Sequence, residues 1–191
     1  MQKARHLFIA GPTRPLGVSL IELLVVIAVL AVLAAIAIPS FAGIVRQYRV
    51  NAAVDEFMAS VQLARVDAMR LGQDILIRRQ TSCDVALPTS YDWHCGWRVF
   101  ADLNGNQLPD AAEAELQSVA LPTGIHLVKA AGGGSPQYMT INRYGQVTAL
   151  GLRFAVFPAG MDELSGQLIC FSTGTRLRTV KGAKACPDQA K

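Results

Sequence analysis

Apolar and polar positions divide the chain into two regions near residue 39. Residues 23–38 form sixteen consecutive apolar positions, LLVVIAVLAVLAAIAI. The wider segment from Val18 to Ile38 has twenty-one residues, enough to cross a bilayer of about 30 Å at about 1.5 Å per residue. No second span of this kind follows, so the pattern predicts one membrane-spanning helix and a single domain outside the bilayer.

Beyond residue 39 the apolar positions acquire helical spacing. Successive steps of 4, 3, 4, 3, 4 and 3 place them on one face, while most charged residues of this segment lie off that face. We expect this amphipathic stripe to pack on a sheet of the same chain, although a coiled-coil seam has the same spacing. Gly72 provides a helix stop. The stripe consists of Val50, Val54, Phe57, Val61, Ala64, Ala68 and Leu71.

From residue 75 onward, short apolar segments separated by Gly, Pro and Asn predict eight strands. Their close spacing favours antiparallel pairing. The predicted fold class is therefore α+β, with a long N-terminal helix packed on an antiparallel β-sheet head. The predicted strands are Ile75–Arg79, Gly96–Ala101, Glu115–Leu121, Ile125–Val128, Tyr138–Asn142, Leu152–Phe157, Leu168–Ser172 and Arg176–Val180.

The net charge of +4 is concentrated at the N-terminus. Lys3, Arg5 and Arg14 contribute +3 before residue 18, where there is no acid, and the 15 basic and 14 acidic side chains that follow leave +1. A strongly basic head is thereby excluded, and nucleic-acid binding would need a local patch. Basic residues before the span favour a cytoplasmic N-terminus and a periplasmic head.

Composition alone leaves two interpretations of the N-terminus open. A secretory signal peptide would be removed, but the apolar run is long for one and has a carboxylate, Glu22, at its start. An uncleaved membrane helix leaves Glu22 without an explanation, because an acid within the bilayer costs about 2.5–3.5 kcal/mol even on the lenient insertion scale.

The octapeptide Leu16 to Leu23, LGVSLIEL, resembles the leader junction of type IV pilins and type II secretion pseudopilins. The resemblance implies that prepilin peptidase cuts between Gly17 and Val18 and that the new terminus is N-methylated. It also implies that Glu22 meets the N-terminal amine of a neighbouring subunit during assembly. The family usually has Phe where this chain has Val18.

Segments of the head, taken in order, resemble the GspH/FimT group of minor pseudopilins and minor pilins. They are ARVDAMRLG at 64–72, GWRVF at 96–100, the loop 102–113, NRYGQV at 142–147, ICFS at 169–172 and GTRLR at 174–178.

The resemblance implies an α+β pilin-like subunit in the tip or initiation complex of a pseudopilus or type IV pilus. The implied partners are other minor pilins or pseudopilins, the inner-membrane assembly platform, prepilin peptidase and the inner membrane itself. The corresponding division of the chain is a leader at 1–17, a transmembrane helix at 18–45, its amphipathic continuation at 46–72 and the head at 73–191.

Four cysteines lie beyond the apolar segment and form no C-x-x-C motif, which argues against zinc. In an oxidising compartment they are expected to form two disulfides. Sequence permits three pairings. Cys83–Cys95 with Cys170–Cys186 is preferred, because each pair closes a short loop beside a predicted strand.

The loop from Asp102 to Glu113 carries oxygen-bearing side chains at positions 1, 3, 5, 9 and 12 of a calcium-loop template. The template requires Gly at position 6, where this chain has Gln107, and a polar hairpin loop has a similar composition. No other cofactor is indicated. The calcium candidates are Asp102, Asn104, Asn106, Asp110 and Glu113.

The last predicted hairpin carries four cations with no acid between Glu163 and Asp188. Two arginines on one strand would share a face and contact two phosphates. Members of the group with a Gly-Arg-x-Arg motif here are linked to DNA uptake, but this chain inserts Thr175 after the glycine, and a solvated edge strand is the alternative. The DNA-binding candidates are Arg176, Arg178, Lys181 and Lys184.

Catalytic motifs are not found in the sequence. There is no G-x-S-x-G and no phosphate-binding glycine loop, and the histidines are limited to His6, His94 and His126. The sequence therefore predicts an assembly subunit that is not an enzyme.

Overall fold

A long helix is the first element in the described part of the chain. The structure, a computed structural model, describes residues 17–83, 89–149, 151–172 and 176–187. At residues 39 and 40 it describes the backbone alone. Helix α1 comprises Leu20–Leu71. The chain divides into two units, one ending at Ala42 and one beginning at Gly43, which are described separately below.

The N-terminal unit contains the membrane-spanning candidate. Leu20–Ile38 is a helical segment of 19 residues that is long and apolar enough to cross a bilayer, and none of it is buried against protein. Its apolar side chains are thus available to lipid or to other helices. In water, so much exposed aliphatic surface would be strongly unfavourable.

The C-terminal unit contains two antiparallel four-stranded sheets. The first has the order β3-β2-β1-β5 and the second β4-β6-β7-β8. A short 3-10 helix, Glu163–Ser165, separates β6 from β7. The strands are β1 Ile75–Arg79, β2 Trp97–Ala101, β3 Glu115–Val119, β4 Ile125–Ala131, β5 Tyr138–Ile141, β6 Arg153–Pro158, β7 Gln167–Phe171 and β8 Leu177–Lys181.

The second half of α1 packs on both sheets. The ring of Phe57 lies 5.0 Å from Trp97 of β2 and 4.7 Å from Phe154 of β6. The indole N–H of Trp97 donates to the hydroxyl of Ser60 at 2.9 Å, one helical turn further on. Six of the seven positions of the amphipathic stripe are buried, so the stripe belongs to the core of this unit, as the sheet-packing alternative predicted.

Two residues near the end of α1 differ from the predicted pattern. Leu71, predicted in the stripe, is 39% exposed, because the helix ends there and Gly72 turns the chain with a left-handed φ of 66°. Asp67, predicted to lie off the stripe, is only 7% exposed. Its carboxylate is compensated by the guanidinium of Arg70 at 2.8 Å.

The predicted α+β fold class is confirmed, and each predicted strand is present with ends shifted by three residues or fewer. The single predicted sheet is in fact two. β5 returns to pair with β1, whereas β4 pairs with β6. The alternation of apolar and polar residues shows which side chains of a strand share a face, but it does not show which strands pair with each other.

A stacked histidine pair, buried His94 and half-buried His126, joins the segment before β2 to β4. The ring of His94 stacks on that of His126 with centroids 3.9 Å apart, and its Nδ1 lies 3.2 Å from the carbonyl oxygen of Leu127. Burial lowers the pKa of His94 and the neighbouring His126 lowers it further, while the Asp92 carboxylate, 3.7 Å away, partly opposes them. The folded protein therefore favours neutral His94.

Stability should consequently fall as the solution is acidified. The unfolded histidine has a pKa of about 6.5, and the pKa of folded His94 lies below its ordinary value. Between those two values the unfolded chain binds more protons, so the free energy of unfolding decreases as pH drops below about 6.5. Thermal unfolding of the detergent-solubilised protein should show this loss, and His94→Gln should reduce it. Equal losses of stability in the unmodified protein and in the His94→Gln variant would contradict the assignment of this pH dependence to His94.

Candidate processing and assembly site

Gly17 and Val18 lie in non-helical chain immediately before α1. A Cβ atom built on Gly17 would meet no atom within 4 Å, so packing gives no reason for a glycine here. Val18 is 72% exposed. The Gly17–Val18 peptide bond is thus sterically open among the described residues and lies in an irregular segment.

Ser19 is the N-cap of α1. Its hydroxyl accepts the backbone N–H of Glu22 at 3.2 Å, and its carbonyl accepts the N–H of Leu23 at 3.1 Å. Serine followed three residues later by glutamate is the sequence signature of a capping box. That signal is present in the sequence, but our sequence analysis did not use it.

Glu22 occupies the third position of the helix, at the N-terminal edge of the apolar span. A carboxylate there interacts favourably with the partial positive charge of the helix N-terminus. Its side chain is exposed, and within the described part of the chain no basic group forms an ion pair with it. A cation from outside the described chain can therefore reach it.

The four candidate DNA-binding cations do not share one face. Arg176 precedes β8 and is exposed, and Arg178, in β8, is half-buried. Alternation places these two on the side of Val180, which packs against the small cluster around Leu168 and Cys170. Lys181 lies on the opposite face of β8, the face it shares with Leu177, which packs on the main hydrophobic core. Lys184 follows the strand. Thr175 lies outside the described residues.

The loop from Asp102 to Glu113 uses its carboxylates to hold its own backbone. The Asp102 carboxylate accepts the N–H groups of Gly105 and Gln107 at 2.8 and 3.2 Å. Glu113 accepts those of Leu103 and Asp110 at 2.9 and 3.2 Å. Gln107 adopts a left-handed φ of 59° at the position where the calcium template has glycine.

The remaining calcium candidates of this loop bind one another. Asp110 accepts the side-chain amides of Asn104 and Asn106 at 2.7 and 2.8 Å. In the described parts of the chain, no group of three or more His, Cys, Asp or Glu side chains could hold a metal ion. Calcium binding therefore remains a prediction of the sequence only.

Disulfides join Cys83 to Cys95 and Cys170 to Cys186, with Cα atoms 5.4 and 5.9 Å apart. The first closes the connection from β1 to β2. The second fastens the C-terminal segment to β7. This is the local pairing that the sequence analysis preferred.

Two protein-family models match parts of the chain. The family model described as type II transport protein GspH matches residues 53–178. The prokaryotic N-terminal methylation motif matches residues 14–38, the segment that contains the open Gly17–Val18 bond, the capped helix start and the apolar span. No curated protein compared with the chain matches it.

Two solved structures share the fold at low sequence identity. The type IV minor pilin FimU of Pseudomonas aeruginosa is 21% identical, with a TM-score of 0.50, and the alignment covers 72% of this chain and 97% of that one. The minor pseudopilin EpsH of the Vibrio cholerae type 2 secretion system is 15% identical, with a TM-score of 0.51 and coverages of 72% and 99%.

The predicted resemblance is thereby confirmed at the level of family and fold. The family model spans most of the chain, from the amphipathic half of α1 to Arg178 in β8, and the N-terminal motif covers much of the rest. This chain belongs to the GspH family of type II transport proteins, a family of minor pseudopilins and minor pilins, and carries its N-terminal methylation motif.

Proposed function

We propose that this protein is a minor subunit that is processed after Gly17 and assembled from the inner membrane into the tip or initiation complex of a pseudopilus or type IV pilus. The observation that carries the proposal is the arrangement at the N-terminus. A glycine with no packing role precedes a capped helix, and that helix combines one carboxylate with an exposed apolar span.

The helix start is compatible with cleavage. Removal of residues 1–17 would leave Val18 as the N-terminus, and the cap at Ser19 would stay with the mature chain. The mature protein would thus keep the first turn of α1 without rearrangement. Its new amine would lie one residue before the cap.

Glu22 has two separable roles in this proposal. Within its own subunit it occupies the position that a capping box requires. Toward a neighbouring subunit, its carboxylate attracts the Val18 amine, and that attraction is strong only where lipid replaces water. An acid and an amine that pair in the bilayer also cancel each other's cost of burial there, at least in part.

The disulfides support a periplasmic head. Disulfides persist in the bacterial periplasm and are rare in the cytosol, and both bonds lie in the unit that begins at Gly43. The basic residues Lys3, Arg5 and Arg14 precede the span, which favours a cytoplasmic N-terminus. Together these features support an assembly subunit without enzymatic activity, held in the inner membrane before assembly.

DNA binding at the tip is a second candidate function. It is supported by the shared face of Arg178, on the edge strand β8, and Arg176, which immediately precedes that strand. Because Lys181 lies on the other face and Lys184 follows the strand, two phosphates rather than four are the expected contacts. Contacts of this kind carry no sequence preference.

The first prediction concerns processing. Mature protein purified from membranes should begin at Val18, and Gly17→Leu should leave residues 1–17 attached. Because nothing packs on Gly17, this variant should still insert and fold. N-terminal sequencing and intact mass distinguish the outcomes. A mature protein that retains Met1, or that begins after Ala37, would contradict the proposal.

The second prediction separates the two roles of Glu22. Glu22→Gln keeps a capping side chain but removes the charge, so incorporation into filaments should fall by about tenfold or more, since about 1.4 kcal/mol changes an equilibrium tenfold. Glu22→Asp should retain most incorporation. Membrane insertion should be unchanged in both.

Ser19→Ala serves as the matched control for capping, since it removes the cap and keeps the charge. Incorporation is measured as the fraction of subunit in sheared filaments. If Ser19→Ala were as defective as Glu22→Gln, the defect would arise from helix capping, and the docking role would be wrong.

The third prediction tests DNA binding. The detergent-solubilised protein should retard duplex DNA at low salt, with a slope of log affinity against log salt of about −1.8 for two phosphates. Arg176→Gln combined with Arg178→Gln should abolish the shift, whereas Lys181→Gln, on the opposite face, should have little effect. The DNA-binding candidate would be wrong if the unmodified protein gave no shift, or if Lys181→Gln had the same effect as the double arginine variant. Assembly would then be the one proposed function.

A further inference from the structure

Two arginines lie directly opposite each other on adjacent strands of the first sheet. Arg78 of β1 is in register with Arg98 of β2. Their neighbours Ile77 and Val99 face the main core, so alternation directs the two arginines to the other side of the sheet. Like charges in opposite positions destabilise a sheet, so this pair has a cost that other contacts of the two arginines must offset.

These arginines belong to a row of polar side chains that crosses the whole sheet. Tyr138 of β5 is in register with Arg78, and Ser118 of β3 is in register with Arg98. Arg78, Arg98 and Ser118 of this row line a cavity of about 400 Å³, together with Thr81 and Ser82. The loop residues Leu108 and Pro109 form part of its wall.

The positive charge of this cavity is only partly compensated. Arg98 forms an ion pair with Glu115. Arg78 donates instead to neutral acceptors, the carbonyl of Gln107 at 2.9 Å and the side chain of Gln137 at 3.1 Å, and no carboxylate in the described parts of the chain forms an ion pair with it. The field inside the cavity therefore favours an anion.

Hydrogen-bond donors in the cavity fit a carboxylate. Arginine presents its N–H groups in a planar fork that matches two carboxylate oxygens, and Arg98 uses only one of its nitrogens toward Glu115. The hydroxyl of Ser118 accepts a hydrogen bond from Gln80 at 3.1 Å, which leaves its proton to donate. An acidic side chain is small enough to enter a space of this volume.

An adjoining cavity of about 300 Å³ has the opposite character. Arg98 and Pro109 border both cavities, but the second is lined by three carboxylates, those of Asp110, Glu113 and Glu115. A nucleic acid that followed its phosphates across this face would meet these negative charges. A protein surface that carries an acid beside a base is complementary to both cavities.

From this geometry we infer that the face of the first sheet around Arg78 and Arg98 is a docking site for another protein, and that the partner inserts an acidic side chain between the two arginines. A basic residue of the same partner faces Asp110 and Glu113. The cost of the opposed arginines is recovered when the carboxylate enters. This surface shares no residue with the DNA-binding candidates Arg176 and Arg178 or with the N-terminal processing site.

The probe is a capped peptide with one glutamate and one lysine, titrated calorimetrically into the full-length protein in detergent at low salt. Replacing the peptide glutamate by glutamine should weaken binding by about tenfold or more, which corresponds to about 1.4 kcal/mol. Replacing the lysine by glutamine should weaken it less. Duplex DNA is titrated in parallel, and added salt should weaken peptide binding.

Variants test the named residues. Arg78→Gln and Arg98→Gln should each lower the affinity by about tenfold or more, whereas Arg143→Gln, an exposed arginine that does not line the cavity, should leave it unchanged. Glu115→Gln should raise the affinity, because it removes the carboxylate that competes for Arg98. A purely structural role for these arginines would not produce this gain.

Several outcomes would overturn the inference. These are no binding of the peptide, equal binding of its glutamine form, or insensitivity to both arginine substitutions. DNA binding that depended on Arg78 in the same way would identify a nucleic-acid site instead. If Arg78→Gln lowers the unfolding temperature too far for titration, two other measurements decide the question. They are the loss of peptide affinity in Arg98→Gln and the gain of peptide affinity in Glu115→Gln.

Discussion

The structure of the head depends on the contact between one helix and two sheets. Phe57 lies against Trp97 of the first sheet, Phe154 of the second and, at 6.2 Å, Trp93 of the loop that precedes β2. Such aromatic contacts contribute more than their buried area alone would give. Because one ring on α1 serves both sheets, neither sheet can shift along the helix without losing contacts at the centre of the core. Small residues at Ala64 and Ala68 let the backbone of the helix approach closely.

That requirement also explains how α1 changes character along its length. Up to Ile38 its apolar residues point in every direction, as lipid allows. From Val50 onward the buried apolar residues lie on the face that meets the sheets, whereas Leu63, Val66 and Met69 of the same segment are exposed. The two environments impose different patterns on one continuous helix. The first sheet, in turn, carries Arg78 and Arg98 on the side away from the helix.

Much of this arrangement could be predicted from the sequence, and the failures have physical causes. Helical spacing identified the buried face because it depends on local geometry alone. Leu71 was misplaced because spacing does not show where a helix ends relative to the core. Sheet membership was missed because strand partners are set by distant contacts, such as Ile75 with Ile141. Nothing in the sequence indicated that Arg78 and Arg98 would meet, since 20 positions separate them and only strand register aligns them.

The bond between Cys170 and Cys186 has a mechanical consequence. It joins β7 to the C-terminal segment and encloses all of β8 in a loop with a sequence separation of 16. β8 is the edge strand of its sheet, and an edge strand pulled from its free end separates one hydrogen bond at a time. Here, tension applied to the C-terminal segment passes through the sulfur atoms directly into β7. The edge strand lies outside the path of the force, so it cannot be peeled away from that end.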